Sequence, residues 1–179
     1  NHISIDSSIN HTTASERDCA AAHLNFAHPN DLSILDRGYN AFWLYALYEA
    51  TGRYFCMRAK INSGLLYKQF AESGKAQAVI TLEPNQRSVE QCLGKVLPTQ
   101  SLRLRLIRVE LEDGEVEVLI TNLMDEQAFP ASEFKELYHL RWGAEIDQSC
   151  CLHKSVLRKL LYSFCDWFYP GTINSPQFT

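Results

Sequence analysis

No apolar run in this chain of 179 residues approaches the ~18 residues that a membrane helix needs, and the richest stretch, Ala41 to Ala50, is well short of it. No membrane association is expected. The opening Asn1-His-Ile-Ser-Ile-Asp6 has neither the basic nor the apolar segment of a signal peptide. The cytoplasm is therefore the expected compartment, with reduced thiols the default. Among the six cysteines (Cys19, Cys56, Cys92, Cys150, Cys151 and Cys165) there is no Cys-x-x-Cys, and no His stands at finger spacing from a Cys pair. A zinc site has little support. An excess of positive charge is missing too: seventeen basic residues face twenty-one acidic ones, a formal charge of −4. A free-standing DNA-binding module normally carries a positive balance, so the chain alone is not expected to grip nucleic acid strongly. A catalytic core with acidic metal ligands remains compatible. Internal repeats and low-complexity tracts are absent as well. What is present is ordinary globular composition, 46% hydrophobic and 21% charged, on a chain long enough for one real core.

The first third reads as alternating strand and helix. Asn1–Ile5 alternates weakly and fits a short strand ending at Asp6. Thr13-Ala-Ser-Glu16 has the form of a capping box, and the helix that follows ends by Pro29-Asn30. Leu32-Ser-Ile-Leu35 fits a buried strand that delivers Asp36 at its C-terminal end. Arg37-Gly38-Tyr39 turns the chain into a helix from about Ala41 to Glu49, stopped by Thr51-Gly52, and Tyr54 to Arg58 is the next strand. This order favours an α/β layer with parallel strands.

A β-rich stretch follows. Gln77 to Leu82 and Leu102 to Leu123 are strand-like. Leu102-Arg-Leu-Arg-Leu106 and Val116-Glu-Val118 alternate on either side of Glu112-Asp-Gly-Glu115, where Asp-Gly favours a type I′ turn. A half-exposed antiparallel sheet is the expectation. After Pro130 a helix returns, with Ser132 as its cap, and Tyr138, Arg141 and Glu145 share one face by their spacing. Taken singly, these residues have plain readings. Asp36 would be a helix cap, Glu145 half of an ion pair with Arg141, and Tyr138 and Trp142 packing residues.

Taken together they are more specific. Tyr138, Arg141 and Glu145 on one helix resemble the Y-R-E-K motif of the insertion-sequence-4 type of bacterial DDE transposases. Asp36-Arg37-Gly38-Tyr39 after an apolar strand resembles the segment that holds the second catalytic aspartate of that family. Ser15-Glu16-Arg17 before an Ala-rich helix is similar to the stretch preceding it. The resemblance covers roughly residues 1 to 146. It implies an α/β fold: an incomplete RNase H-like catalytic core with an antiparallel β-rich insertion. Residues 1–60 would be the partial core, 61–130 the insertion, 131–150 the helix carrying the Glu, and 151–179 a divergent tail. It implies Asp36 and Glu145 as catalytic and metal-holding residues, and Tyr138, Arg141 and Arg37 as contacts to DNA. Its cofactor would be a divalent metal, Mg2+ or Mn2+ in its place, since hard cations take oxygen ligands and paired ions stabilise both oxygens in phosphoryl transfer. Its partners would be transposon-end DNA and a second copy of the chain.

Two departures shape the functional expectation. The first carboxylate of the triad is not evident: Asp6 falls where a third strand would end, not a first. The motif's Lys, seven residues after Glu145, is Leu152 here, and from Asp147 onward the text stops resembling the family, as a reading-frame shift would produce. The apolar residues Leu157, Leu160, Leu161, Phe164 and Phe168 fit a helix needing a partner. The chain is therefore expected to be a truncated, inactive copy of a transposase, with Asp36's strand left at an unpaired edge. The alternative is a non-catalytic fragment that regulates intact transposase.

Overall fold

The computed structural model describes residues 15–139, together with the backbone of 160–163. Helix α1 (Glu16–His23) starts at Ser15, whose hydroxyl accepts from the Asp18 amide, and its first turn carries Glu16 and Asp18. These are the charges that a helix N-terminus favours. The cap is thus Ser15 rather than Thr13, which lies outside the described residues. The helix gives way at Leu24–Phe26 to a 3-10 turn. Strand β1 (Asp31–Leu35) is buried along its whole length. Helix α2 (Phe42–Ala50) follows, with six of its nine residues buried. Its stop is a Schellman motif. The Arg53 amide reaches the Tyr48 carbonyl at 2.9 Å and the Gly52 amide reaches Glu49 at 3.1 Å. Gly52, at φ +62°, takes the left-handed position, where the lack of a Cβ removes the steric cost.

Strand β2 (Tyr54–Arg58), helix α3 (Leu65–Glu72), strand β3 (Gln77–Leu82) and helix α4 (Gln86–Gly94) come next. The hairpin of β4 (Leu102–Glu110) and β5 (Val116–Thr121) leads to a helix α5, described over residues 134–139, and the last described strand is β6 (Leu160–Ser163). The strands form one sheet in the order β3-β4-β5-β2-β1-β6. β1 and β2 pair in parallel, Leu32 opposite Tyr54 through Leu35 opposite Met57, as a strand-helix-strand unit requires. The other pairings are antiparallel.

Alternation along the strands divides two cores. Leu35, Phe55, Met57, Leu104, Leu106 and Ile120 face α1 to α4. Leu32, Ile34, Cys56, Ile107 and Leu119 face α5, meeting Phe134, Leu137 and Tyr138. Each fully buried Leu, Ile or Phe contributes on the order of 1.5–3 kcal/mol, so both faces are held by packing.

Four expectations change. The β-rich segment is not a separate sheet: its strands extend the α/β sheet. Half-exposure holds at its edge, where Val79, Thr81 and Arg103 reach solvent, while β5 is buried at every residue but Val116 because apolar clusters pack on both of its faces. The hairpin turn is not type I′, which needs positive φ at both central residues. Val96 is the sole non-glycine with positive φ among the described residues, and only Gly114 (φ +83°) takes that region in the turn. The Leu111 carbonyl accepts from Gly114 at 3.1 Å, which makes a type I turn followed by a left-handed glycine. β1 is not an edge either, because β6 pairs with it antiparallel, Asp31 opposite Ser163 through Ile34 opposite Leu160. For the same reason residues 160–163 are strand rather than helix. The predicted strand at residues 1–5, Asp6 and the rest of the tail lie outside the described residues.

Candidate active site

The backbone continues extended beyond β1 at Asp36 (φ −79°, ψ 173°) before the 3-10 turn Arg37–Tyr39. Leu32 and Ile34 lie on the α5 side, so alternation puts residue 36 on that side as well. The turn is closed by the Tyr39 amide, which donates to the Asp36 carbonyl at 3.0 Å. Two further anchors fix it. Arg17 Nε, from α1, donates to the Gly38 carbonyl at 3.0 Å. Asn40 Nδ2 donates to the Arg37 carbonyl at 3.0 Å and to the Arg58 carbonyl at 2.5 Å, tying the ends of β1 and β2 together. The Tyr45 hydroxyl donates to Asn40 Oδ1. Burial pushes the Tyr45 phenol far above its ordinary range, so it stays a neutral donor.

At this end of β1 the Asp36 side chain has an open valence: its Oδ1 is buried and has no hydrogen-bond partner among the described residues. A buried carboxylate oxygen left in this way costs free energy unless a cation or donor completes it. Next to it in the parallel register, one step beyond Leu35 and Met57, stands Arg58. That guanidinium is already engaged, in an ion pair with Glu117 of β5, which is 2% exposed. Neither Arg58 nor Glu117 was legible as a site residue. Val116-Glu-Val118 reads as strand alternation with the Glu in water, and nothing local signals that α5 covers that face. Asn40 could have been suspected as a polar residue just before an apolar helix.

Of the residues proposed from sequence, Asp36 and Tyr138 are on the same side of the sheet. Tyr138 is 3% exposed, in the core cluster that includes Leu32 and Ile34. Arg37 is exposed at the end of β1. Arg141 and Glu145 lie outside the described residues, and among the described residues no three His, Cys, Asp or Glu side chains come together as a metal cluster.

Residues 2–160 match the family model described as Transposase DDE domain. The chain belongs to that transposase family. It is also 26% identical, over 134 residues, to the Escherichia coli (strain K12) protein "Transposase InsG for insertion sequence element IS4". The match covers 74% of this chain and 29% of the relative, so this transposase sequence spans under a third of that protein. Family and relative together make it an insertion-sequence-4-type DDE transposase domain, with the described strands and helices all inside the matched span apart from the last residues of β6.

Proposed function

We propose that this domain serves metal-dependent cleavage and strand transfer of DNA, with Asp36 as one carboxylate of the metal site and Glu145 as another. The observation that carries the proposal is the buried, unpartnered Oδ1 of Asp36. An oxygen donor without a proton donor suits a hard divalent cation such as Mg2+, or Mn2+ in its place. When bound, such an ion stabilises charge on the attacking and leaving oxygens of a phosphodiester. The chain's own residues prepare the position. The Tyr39 amide and Asn40 hold the backbone around Asp36, and Glu117 occupies Arg58, the cation opposite Asp36 in register. From the sequence spacing alone, Arg141 and Glu145 are expected on the face that carries Tyr138. Arg37 and Arg141 would face phosphate oxygens, for which a guanidinium fork is suited. The family resemblance would also give Tyr138 a DNA contact, but its ring and hydroxyl are both buried here, so the phosphate contacts are left to Arg37 and Arg141. The sheet, with its parallel β1–β2 pair at one side and antiparallel strands beyond, supports an RNase H-like core.

Manganese binding followed by electron paramagnetic resonance tests the assignment. The wild-type chain should sequester Mn2+, and Asp36→Ala and Glu145→Ala should each weaken binding by about ten-fold or more. Equal binding by all three proteins would remove both residues from the metal site. Where plasmid nicking is detectable, activity untouched by both substitutions would remove the catalytic role.

A further inference from the structure

Arg105 is fully enclosed, with 0% of its surface exposed, although it sits in the alternating run Leu-Arg-Leu-Arg-Leu of β4. A buried guanidinium is unusual unless its donors are used. Its Nε is buried without a hydrogen-bond partner among the described residues, while Nη1 is used on the connector between β5 and α5 and Nη2 on β3. Nη1 donates to the Leu123 carbonyl at 3.3 Å and to the Phe129 carbonyl at 2.8 Å. Between those two carbonyls the connector bonds to itself. Asp125 Oδ1 accepts from the Gln127 and Ala128 amides, both at 2.9 Å, and the Phe129 amide donates to the Asp125 carbonyl at 3.0 Å. Arg105 therefore brackets a preformed turn at its two ends. Nη2 donates to Gln77 Oε1 of β3, and Gln77 Nε2 in turn donates to Glu126 at 2.5 Å. The guanidinium carbon also stands 5.5 Å from the ring centroid of Phe134, the first residue of α5 and itself 0% exposed.

From this geometry we infer that Arg105 is a positioning residue, which fixes where α5 leaves the sheet and so where the Tyr138 helix stands relative to Asp36. Its functional half rests on the transposase reading above, because only there does the placement of α5 govern the distance between two metal-holding carboxylates. A core built for stability alone would gain as much from an apolar residue at this position. The guanidinium adds direction: a planar fork that fits two carbonyls and a ring in one arrangement.

The test compares wild type, Arg105→Met and Arg105→Lys. Hydrogen exchange of residues 134–139 reads the hold on α5, and Mn2+ affinity reads its consequence. In Arg105→Met, exchange over 134–139 should accelerate about ten-fold or more while β2 stays protected. Mn2+ affinity should fall by about ten-fold. Arg105→Lys keeps the buried cation but loses the fork. It should fold even where Arg105→Met does not, and fall between the other two in both measurements. Unchanged exchange over 134–139 in a folded variant overturns the inference, as does loosened exchange with wild-type Mn2+ affinity. If the wild type itself shows no Asp36-dependent Mn2+ binding, the transposase reading of the site has failed. The exchange arm then still decides whether Arg105 holds α5.

Discussion

Asp36 sets local stability against chemistry. Its Oδ1 is buried and unpaired, a state that costs about 1–3 kcal/mol for an uncharged group and more for a charged one. Removing it should therefore relieve the fold in metal-free buffer. Asp36→Ala is expected to melt at the same temperature or higher, with a gain of about 1 kcal/mol, or roughly 2–4 °C for a chain of this size. Calorimetry with a chelator checks this, and a fall of several degrees would mean that the carboxylate has a structural role instead. Asp36 was legible because it ends an apolar run and opens a turn. Glu117 and Arg105 were not. Each occupies a polar position in an alternating strand, and alternation assigns such positions to water. Here apolar clusters pack on both faces of the sheet around these two positions, and both charges are taken up by partners far away in sequence, Arg58 and the connector carbonyls.

Helices α2 and α4 end in the same way with different residues. At the end of α4 the Leu97 amide reaches the Cys92 carbonyl at 2.9 Å and the Val96 amide reaches Leu93 at 3.1 Å, which repeats the Schellman pattern after α2. The left-handed position that α2 gives to Gly52 falls to Val96, at φ +57° and 93% exposed. A β-branched residue in that region carries a cost of roughly 1–2 kcal/mol, and its exposed side chain recovers little by packing. Val96→Gly is expected to stabilise the domain by about 1 kcal/mol, seen as a higher urea midpoint at unchanged slope. A lower midpoint would show that Val96 makes a contact worth more than the strain. Apolar runs and Thr51-Gly52 marked α2, β1 and β2 to within a residue, whereas α3 and α4 were not read from the sequence. The hairpin was readable in position but not in type. Asp-Gly pairs permit more than one turn, and the strand twist around them decides which forms.

Across the molecule, the sheet order puts β2 and β5 in the middle, paired on both sides and buried on both faces, and β3 at an edge with Val79 exposed. Amide exchange should be slowest in β2 and β5 and fastest in β3. Equal protection in β3 would point to a further strand or partner on that edge. This order was not legible. The parallel β1–β2 pair follows from a short connection through a helix, but docking β5 on β2 joins residues far apart, such as Phe55, whose amide donates to the Asn122 side chain at 3.0 Å. No local pattern announces such a partner. The same separation matters while the chain is being made. Once β2 has left the ribosome, its open side must wait for β5, some sixty residues later. At about 5–20 residues per second that is roughly 3–12 s. For that interval the nascent chain presents to whatever else is nearby a strand edge that is interior to the finished sheet, a place where a chaperone would give protection.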